Sequence, residues 1–188
     1  MVVHADDMVL EFLANGFEEI EALTPVDVLR RAGIEVKTVS LNDTDLVHGA
    51  HGIELHADIT ASDLGDNIAP DMVILPGGMP GASNLDGSPV VDSYLKKMSS
   101  CGGYIAAICA APMVLGRRGL LSGRNAVCYP GFEKELRGAR ISEKKVVVDD
   151  KVITAAGMGV ALEFALTLVR VLKGEEASEA IRASVIAK

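Results

Sequence analysis

Short apolar runs bounded by glycine, proline or aspartate recur along the chain, and segments with helical periodicity lie between several of them. The runs are dominated by valine, isoleucine, leucine and alanine without polar alternation, which is typical of strands buried on both faces. Predicted strands cover residues 8–14, 34–41, 72–75, 104–108, 126–128, 146–148 and 152–155. Buried strands that alternate with helices form a mostly parallel sheet with helices on both faces, so the predicted fold class is α/β.

Apolar residues at helical spacing predict helices over residues 18–32, 89–98, 110–115, 160–172 and 175–183. Thr24 and Pro25 interrupt the first of these, so either that helix kinks or a new helix begins at Pro25. Between residues 42 and 67 the chain is polar and contains His48, His51 and His56, and its alternating stretch 52–56 predicts an edge strand or a hairpin arm. No linker or repeat is visible, and residues 1–188 are predicted to form a single domain.

The charge balance excludes two classes of partner. Lys plus Arg number 18 against 26 Asp plus Glu, a formal charge of −8, which argues against nucleic acid or an anionic membrane as the main partner. No apolar run approaches the roughly 18 residues of a membrane span. The first residues carry aspartates and a histidine instead of a basic segment before an apolar one, so we expect an unexported, cytoplasmic protein.

The run over residues 104–108 leads into Cys109, and a predicted helix follows at once. Such a sharp strand-to-helix turn requires small neighbours, and Ala107 and Ala111 occupy the positions that glycine holds in the nucleophile elbow G-x-S-x-G. Because a helix N-terminus stabilises an anion, the pattern predicts a Cys109 thiol with a lowered pKa and raised nucleophilicity. The alternative is a small buried cysteine that packs between sheet and helix.

The strand over residues 72–75 ends in Pro76-Gly77-Gly78, where glycines allow a backbone to approach a ligand closely. If that strand lies beside the strand before Cys109, the backbone N–H groups of Gly78 and Ala110 can form an oxyanion hole. The alternative is a tight turn without a chemical role.

Three glutamates, Glu18, Glu19 and Glu21, stand at the start of the first predicted helix, where the helix dipole favours carboxylates whatever their function. Glu18 and Glu21 are three residues apart on one helix face, and Glu19 points elsewhere. We expect one of them to lean into the site, where burial raises its pKa and lets it hold or move a proton. The alternative is that all three only cap the helix.

Other segments match the sequence pattern of a known functional site only in part. The segment 157–159 reads Gly-Met-Gly before a helix, but Leu162 stands at the third position of a dinucleotide loop and no further strand follows. The histidines of segment 42–67 match no compact zinc spacing, and no metal is expected. Cys101 is predicted to end a helix as a bystander, and Cys128 has no assigned role. With no C-x-x-C pair, the three cysteines are expected to be free thiols.

Taken together, these motifs resemble the DJ-1/ThiJ/PfpI superfamily, and its DJ-1 branch in particular. The matching segments are ANGFEEIEA at 14–22, PVDVLRRAG at 25–33, LPGG at 75–78, AAICAAP at 106–112, Gly157-x-Gly159 and EFAL at 163–166. The resemblance implies a flavodoxin-like three-layer sandwich, also described as a glutamine amidotransferase-like fold, with a nucleophile elbow at Cys109. It also implies a homodimer.

The resemblance also implies roles for individual residues. Cys109 matches the reactive cysteine of the family, and Glu21 matches the carboxylic acid that hydrogen-bonds it. The backbone donors are Gly78 and Ala110. The resemblance also places further residues at or near the site or the dimer contact, namely Glu18, Gly77, Asp27, Arg31 and Tyr129.

Three positions depart from patterns within the superfamily. Ala110 stands where the protease-like branch has histidine, which argues against a Cys-His protease. Tyr129 stands where some DJ-1 proteins have a histidine near the site, and His56 replaces a peripheral second cysteine. Activities that need those residues are therefore not expected.

The activity that the resemblance implies is a glutathione-independent glyoxalase or deglycase that converts dicarbonyls such as methylglyoxal to hydroxy acids. Such an enzyme would use no cofactor or metal and would protect against carbonyl and oxidative stress. The alternative is a redox sensor or redox-regulated chaperone in which Cys109 is oxidised to the sulfinate and a protonated Glu21 stabilises the product. The expected partners are a small aldehyde and a second copy of the chain.

Overall fold

The computed structural model describes residues 7–65 and 68–187, so the expectation drawn from the first six residues lies outside the described part. The strands are β1 (Met8–Leu13), β2 (Glu35–Ser40), β3 (Leu46–His48), β4 (Glu54–His56), β5 (Ile59–Thr60), β6 (Met72–Leu75), β7 (Tyr104–Ile108), β8 (Asn125–Ala126), β9 (Arg140–Ile141), β10 (Val146–Asp149) and β11 (Val152–Ala155). The helices are α1 (Glu19–Arg31), α2 (Gly81–Asp86), α3 (Pro89–Cys101), α4 (Pro112–Arg117), α5 (Ala161–Lys173) and α6 (Glu175–Ser184).

The main sheet has the strand order β10-β11-β7-β6-β1-β2-β5. All neighbouring pairs are parallel except β10 and β11, which are antiparallel. From β1 the chain proceeds to one edge through β2, and from β6 it proceeds to the other edge through β7. The carboxyl ends of β1 and β6 therefore flank the point where strand order reverses, which is where open α/β sheets bind ligands.

Helices cover both faces of this sheet. Val9, Ile74 and Ile108 point to one face, where they pack with the apolar sides of α1 and α5. Leu10, Val73 and Ala107 alternate with them and point to the other face, which α2, α3 and α4 cover. This arrangement of helix, sheet and helix layers confirms the predicted α/β, flavodoxin-like class.

The structure decides between several local alternatives and adds one helix that was not predicted. Helix α1 is continuous through Pro25, which is buried, so no new helix begins there. The stretch 52–56 forms one arm of a hairpin, in which β4 pairs with β3. Helix α2 was not predicted, because its sequence GASNLD has too few apolar residues to show a helical period. Among the described residues no helix is long and apolar enough to cross a membrane.

Glu11 occupies the middle of β1 and is completely buried. Its strand neighbours are Thr38 on β2 and Ile74 on β6. Neither carboxyl oxygen has a hydrogen-bond partner, and burial raises the pKa of Glu11 well above its usual value. A carboxyl in such a place is held in its neutral form.

Candidate active site

Cys109 lies in the turn between β7 and α4 and has a backbone φ of 64°. This conformation is uncommon for a residue with a side chain, and it persists because neighbouring strands fix the turn. The N–H of Cys109 donates to the carbonyl of Ala155 across 2.9 Å, and its carbonyl accepts from the N–H of Tyr129 across 2.8 Å. Ala107 and Ala111 are both fully buried beside the turn, so larger side chains have no room there.

Strand β6 pairs in parallel with β7, which brings the glycines after β6 beside Cys109. A Cβ atom on Gly77 would lie 2.6 Å from the Cβ of Cys109 and would also overlap the Glu21 carboxylate. Gly78 has a φ of 88°, which glycine adopts without strain. The backbone N–H groups of Gly78 and Ala110 both point to the Cys109 sulfur. Both backbone donors therefore lie next to the Cys109 sulfur.

The carboxyl group of Glu21 completes this cluster. Glu21 is 1% exposed, although it belongs to the first turn of α1. The backbone N–H of Gly77 donates to its Oε2 across 3.1 Å, and the Cys109 thiol donates to the same carboxylate. The structure therefore brings together Cys109, Glu21, Gly77, Gly78 and Ala110, which three separate parts of the sequence supply.

Burial controls the ionisation of the pair. The pKa of Glu21 is raised to about 7, because burial and the nearby charge of Glu18 outweigh the hydrogen bonds from Cys109 and Gly77, which lower it. Burial and the Glu21 carboxylate raise the pKa of Cys109 to about 12, although the N–H groups of Gly78 and Ala110 lower it. At neutral pH the thiol keeps its proton and Glu21 is poised to accept one.

The predicted lowering of the Cys109 pKa is therefore wrong. The helix does not begin at once after the cysteine, because α4 starts at Pro112 and is only six residues long. Cys109 lies before the first turn of this short helix, so the helix dipole lowers its pKa only weakly. Burial and the neighbouring Glu21 carboxylate raise that pKa by more.

The other two glutamates of the cluster have different surroundings. Oε2 of Glu18 accepts the N–H of Glu21 across 2.7 Å, so Glu18 caps α1 and fixes the turn that carries Glu21. Glu19 points away from Cys109, as predicted, and binds His51 of the β3–β4 hairpin through both carboxylate oxygens, at 2.7 and 2.8 Å. Gly49 packs directly against the Glu19 side chain.

Three further positions from the sequence lie at different distances from this cluster. Tyr129 is at the rim: its backbone binds the Cys109 carbonyl, and its ring lies beside Gly157. Asp27 and Arg31 bind each other across 2.8 Å on the exposed side of α1 and have no hydrogen bond or ion pair with the cluster. They are more than one helical turn from Glu21 along α1.

One contact to the site was not predicted from the sequence. The backbone N–H of Met158 reaches the Glu21 carboxylate from the turn between β11 and α5. This turn is the Gly-Met-Gly segment 157–159 that has the appearance of a dinucleotide loop. Glycine on both sides of Met158 was the available signal, because close backbone approach to a buried group favours such residues.

The remaining cysteines and histidines lie outside the cluster. Cys101 is exposed at the end of α3, and burial raises the pKa of the Cys128 thiol to about 11. The three hairpin histidines each contact a carboxylate: His48 contacts Glu54, His51 contacts Glu19 and His56 contacts Asp45. Glu18, Glu19 and His51 are close enough to share a cation, but hydrogen bonds already occupy these groups.

Comparison with known proteins gives consistent matches. The sequence matches the DJ-1/PfpI family over residues 7–171. Protein DJ-1 homolog B of Arabidopsis thaliana is 40% identical over 166 residues, which cover 87% of this chain and 38% of the plant protein. The chain thus spans less than half the length of that relative. The glutathione-independent glyoxalase DJR-1.2 of Caenorhabditis elegans is 38% identical over 165 residues, which cover 87% of each protein.

The fold also matches solved structures. The structure of oxidized Toxoplasma gondii DJ-1 superimposes with a TM-score of 0.92 and 40% sequence identity. The match covers 96% of this chain and 98% of the Toxoplasma chain.

Proposed function

Because the chain belongs to the DJ-1/PfpI family, we propose that it is a cysteine-dependent, cofactor-free enzyme of the glutathione-independent glyoxalase or deglycase type. Its substrates are small reactive dicarbonyls such as methylglyoxal, and its products are hydroxy acids. Its role is protection against carbonyl and oxidative stress. The observation that carries this proposal is the buried contact between the Glu21 carboxyl and the Cys109 thiol, with two backbone donors beside it.

The first step is attack by the Cys109 sulfur on the aldehyde carbon of methylglyoxal. The S–H proton passes to the Glu21 carboxylate as the S–C bond forms, which avoids a free thiolate in the buried site. Gly78 and Ala110 are placed to donate their N–H groups to the resulting oxyanion. Return of the proton from Glu21 to that oxygen gives a neutral hemithioacetal.

The second step moves one proton between neighbouring carbons. Glu21 removes the C–H proton of the hemithioacetal carbon, which gives an enediolate, and the hydroxyl proton on that carbon passes to the neighbouring oxygen. Return of the proton to the adjacent carbon gives a lactoyl thioester on Cys109, so one C–H bond breaks and another forms without an external oxidant. Water then cleaves the C–S bond, and the sulfur regains its proton. The sum is methylglyoxal plus water to lactic acid.

The test is lactate formation from methylglyoxal without glutathione, measured per polypeptide. We expect many turnovers with the native chain and none with Cys109→Ser. Cys101→Ser is the matched control and should keep the native rate, because Cys101 is exposed on α3 away from the cluster. Lactate formation by Cys109→Ser at the native rate would contradict the proposal.

A redox sensor or redox-regulated chaperone is the second candidate, and the same pair of residues favours it. Attack of the Cys109 sulfur on hydrogen peroxide, with its proton passing to Glu21, gives a sulfenic acid, and a second peroxide gives the sulfinic acid. A protonated Glu21 can donate a hydrogen bond to that product. The similar Toxoplasma protein was solved in an oxidized form. Ready conversion of Cys109 to sulfinate by peroxide, without turnover of methylglyoxal, would favour this candidate.

We also propose that the chain forms a homodimer through the outer side of α1 and the start of α5. Four apolar side chains are exposed there: Ile20, Leu23, Met158 and Leu162 are between 36% and 50% exposed. Light scattering at micromolar concentration should give the mass of two chains. Leu23→Glu should give the mass of one chain, because it places a charge in the apolar contact.

A further inference from the structure

A cleft of about 680 Å³ lies between β10 and α5, and no residue of the Cys109 cluster lines it. The valines of β10 form one apolar wall. Cationic side chains stand on two sides: Lys144 and Lys145 precede β10, and Arg170 belongs to the last turns of α5. The size is within the usual range for a small-molecule site.

Cationic side chains outnumber carboxylates among the residues that line this cleft. In the described part of the chain, Lys144 and Lys145 have no ion pair, and the nearest carboxylate of Arg170 is the exposed Glu175 at 3.8 Å. Glu163 is the acidic residue among those that line the cleft, and its Oε2 already binds Arg182 across 2.8 Å. The chain as a whole carries a formal charge of −8, so a local excess of cations here is a departure from the rest of the molecule.

Backbone contacts hold the lysine segment in place. The N–H of Ser142 donates to the carbonyl of Ala126, and the carbonyl of Lys145 accepts from the N–H of Ala156. Between them, the N–H of Lys144 donates to the hydroxyl oxygen of Ser142 across 3.2 Å. The segment is therefore fixed at both ends, and a ligand need not order the backbone to meet both ammonium groups.

We propose that this cleft binds a small phosphate-bearing molecule with an apolar portion. The lysines and the guanidinium of Arg170 would bind the phosphate oxygens, since a guanidinium donates to phosphate in bidentate fashion and ammonium groups add point charges. The apolar portion would lie on the valines of β10. The site is independent of the chemistry proposed at Cys109, because the two share no residue.

Isothermal titration of the native chain with inorganic pyrophosphate tests the charged part of the site, and amide NMR shifts locate the binding. We expect shifts confined to β10, the preceding lysine segment and the last half of α5. K144Q/K145Q should weaken binding by about thirtyfold, because two charge-assisted hydrogen bonds are lost. K134Q/R137Q removes the same net charge from two exposed residues outside the cleft and should leave binding unchanged.

Three results would overturn the proposal: no shifts in the cleft with millimolar pyrophosphate, equal weakening by K134Q/R137Q, or binding of citrate as tight as that of pyrophosphate. The first excludes a site, the second indicates diffuse attraction by surface charge, and the third removes the assignment to phosphate. Adenosine diphosphate should bind more tightly than pyrophosphate, because its nucleoside adds apolar contact with the valines. Equal or weaker binding of adenosine diphosphate would overturn the apolar part of the assignment.

Discussion

The backbone N–H of Gly77 donates to Oε2 of Glu21 across 3.1 Å inside the protein. The same glycine has no space for a side chain, because a Cβ atom would overlap both the Glu21 carboxylate and the Cys109 Cβ. Gly77 therefore sets the separation between α1, which carries Glu21, and the turn that carries Cys109. The contact between Glu21 and Cys109 therefore depends on the absence of a side chain at Gly77 as well as on the two residues themselves.

Gly77→Ala should separate the pair. The added methyl group must displace either Glu21 or Cys109, so we expect kcat/KM for methylglyoxal to fall by about a hundredfold and the free energy of unfolding to fall by about 2 kcal/mol. Gly65→Ala is the matched control, since a Cβ at Gly65 meets no atom of the described residues within 4 Å. Activity of Gly77→Ala equal to that of the control would show that the close approach is unimportant.

Glu18→Gln should lower the pKa of Glu21, because the charge of Glu18 is one of the causes that raise it. The pH at which kcat/KM is half-maximal should move below the native midpoint, while an amide oxygen still caps the N–H of Glu21. A pH–rate profile of each protein measures the shift. A midpoint that stays in place or moves upward would contradict this electrostatic role of Glu18.

The sequence was sufficient to predict the sheet and most helices, because apolar runs and helical spacing report directly on burial. Sequence patterns did not predict local structure where contacts with distant parts of the chain determine it. Pro25 remains inside a continuous helix because its ring is buried in tertiary packing, and packing commonly overrides local propensity. Helix α2 has no apolar period and follows the glycines after β6.

In the site, the types of residue were predictable, but their ionisation was not. The location of Cys109 after a buried strand could be recognised from residues 104–112 alone. The raised pKa values depend on how deeply Glu21 is buried and on how near it lies to Cys109, which are distances between α1 and β7. The N–H of Met158 comes from a fourth part of the chain, and the glycines beside it do not show where it points.

Glu11→Met should stabilise the protein at alkaline pH. The folded-state pKa of Glu11 is raised above its usual 4.5, so Glu11 destabilises the fold least below about pH 4.5 and more as pH rises through the raised pKa. Near pH 9 we expect a gain of about 2 kcal/mol in the free energy of unfolding, since a buried unpaired carboxyl is replaced by an apolar side chain of similar length.

Urea denaturation at pH 5 and pH 9 measures this gain. Glu143→Met is the matched control, because it makes the same substitution at an exposed glutamate. If Glu11→Met is no more stable than Glu143→Met at the higher pH, the buried carboxyl is not the cause of the loss.

Glu19→Gln should lower the pKa of His51, because the hydrogen bond and charge of Glu19 raise it above its usual 6.5. The pair holds the hairpin on α1 in full between the usual pKa of glutamate, 4.5, and the usual pKa of histidine, 6.5. It weakens as pH rises through the raised pKa of His51 or falls through the lowered pKa of Glu19. NMR titration of the His51 imidazole gives the value directly. Asp45→Asn, which removes the partner of His56, should not change it.

The pH dependence of kcat/KM in the native chain and in Glu21→Gln tests most directly whether Glu21 is the base for Cys109. The native profile should rise with pH around the Glu21 pKa of about 7, since only the carboxylate can accept the thiol proton. Glu21→Gln should lose about a thousandfold in kcat/KM and lose this ionisation. A Glu21→Gln profile with the native midpoint, or a rate within a few fold of the native rate, would contradict the account.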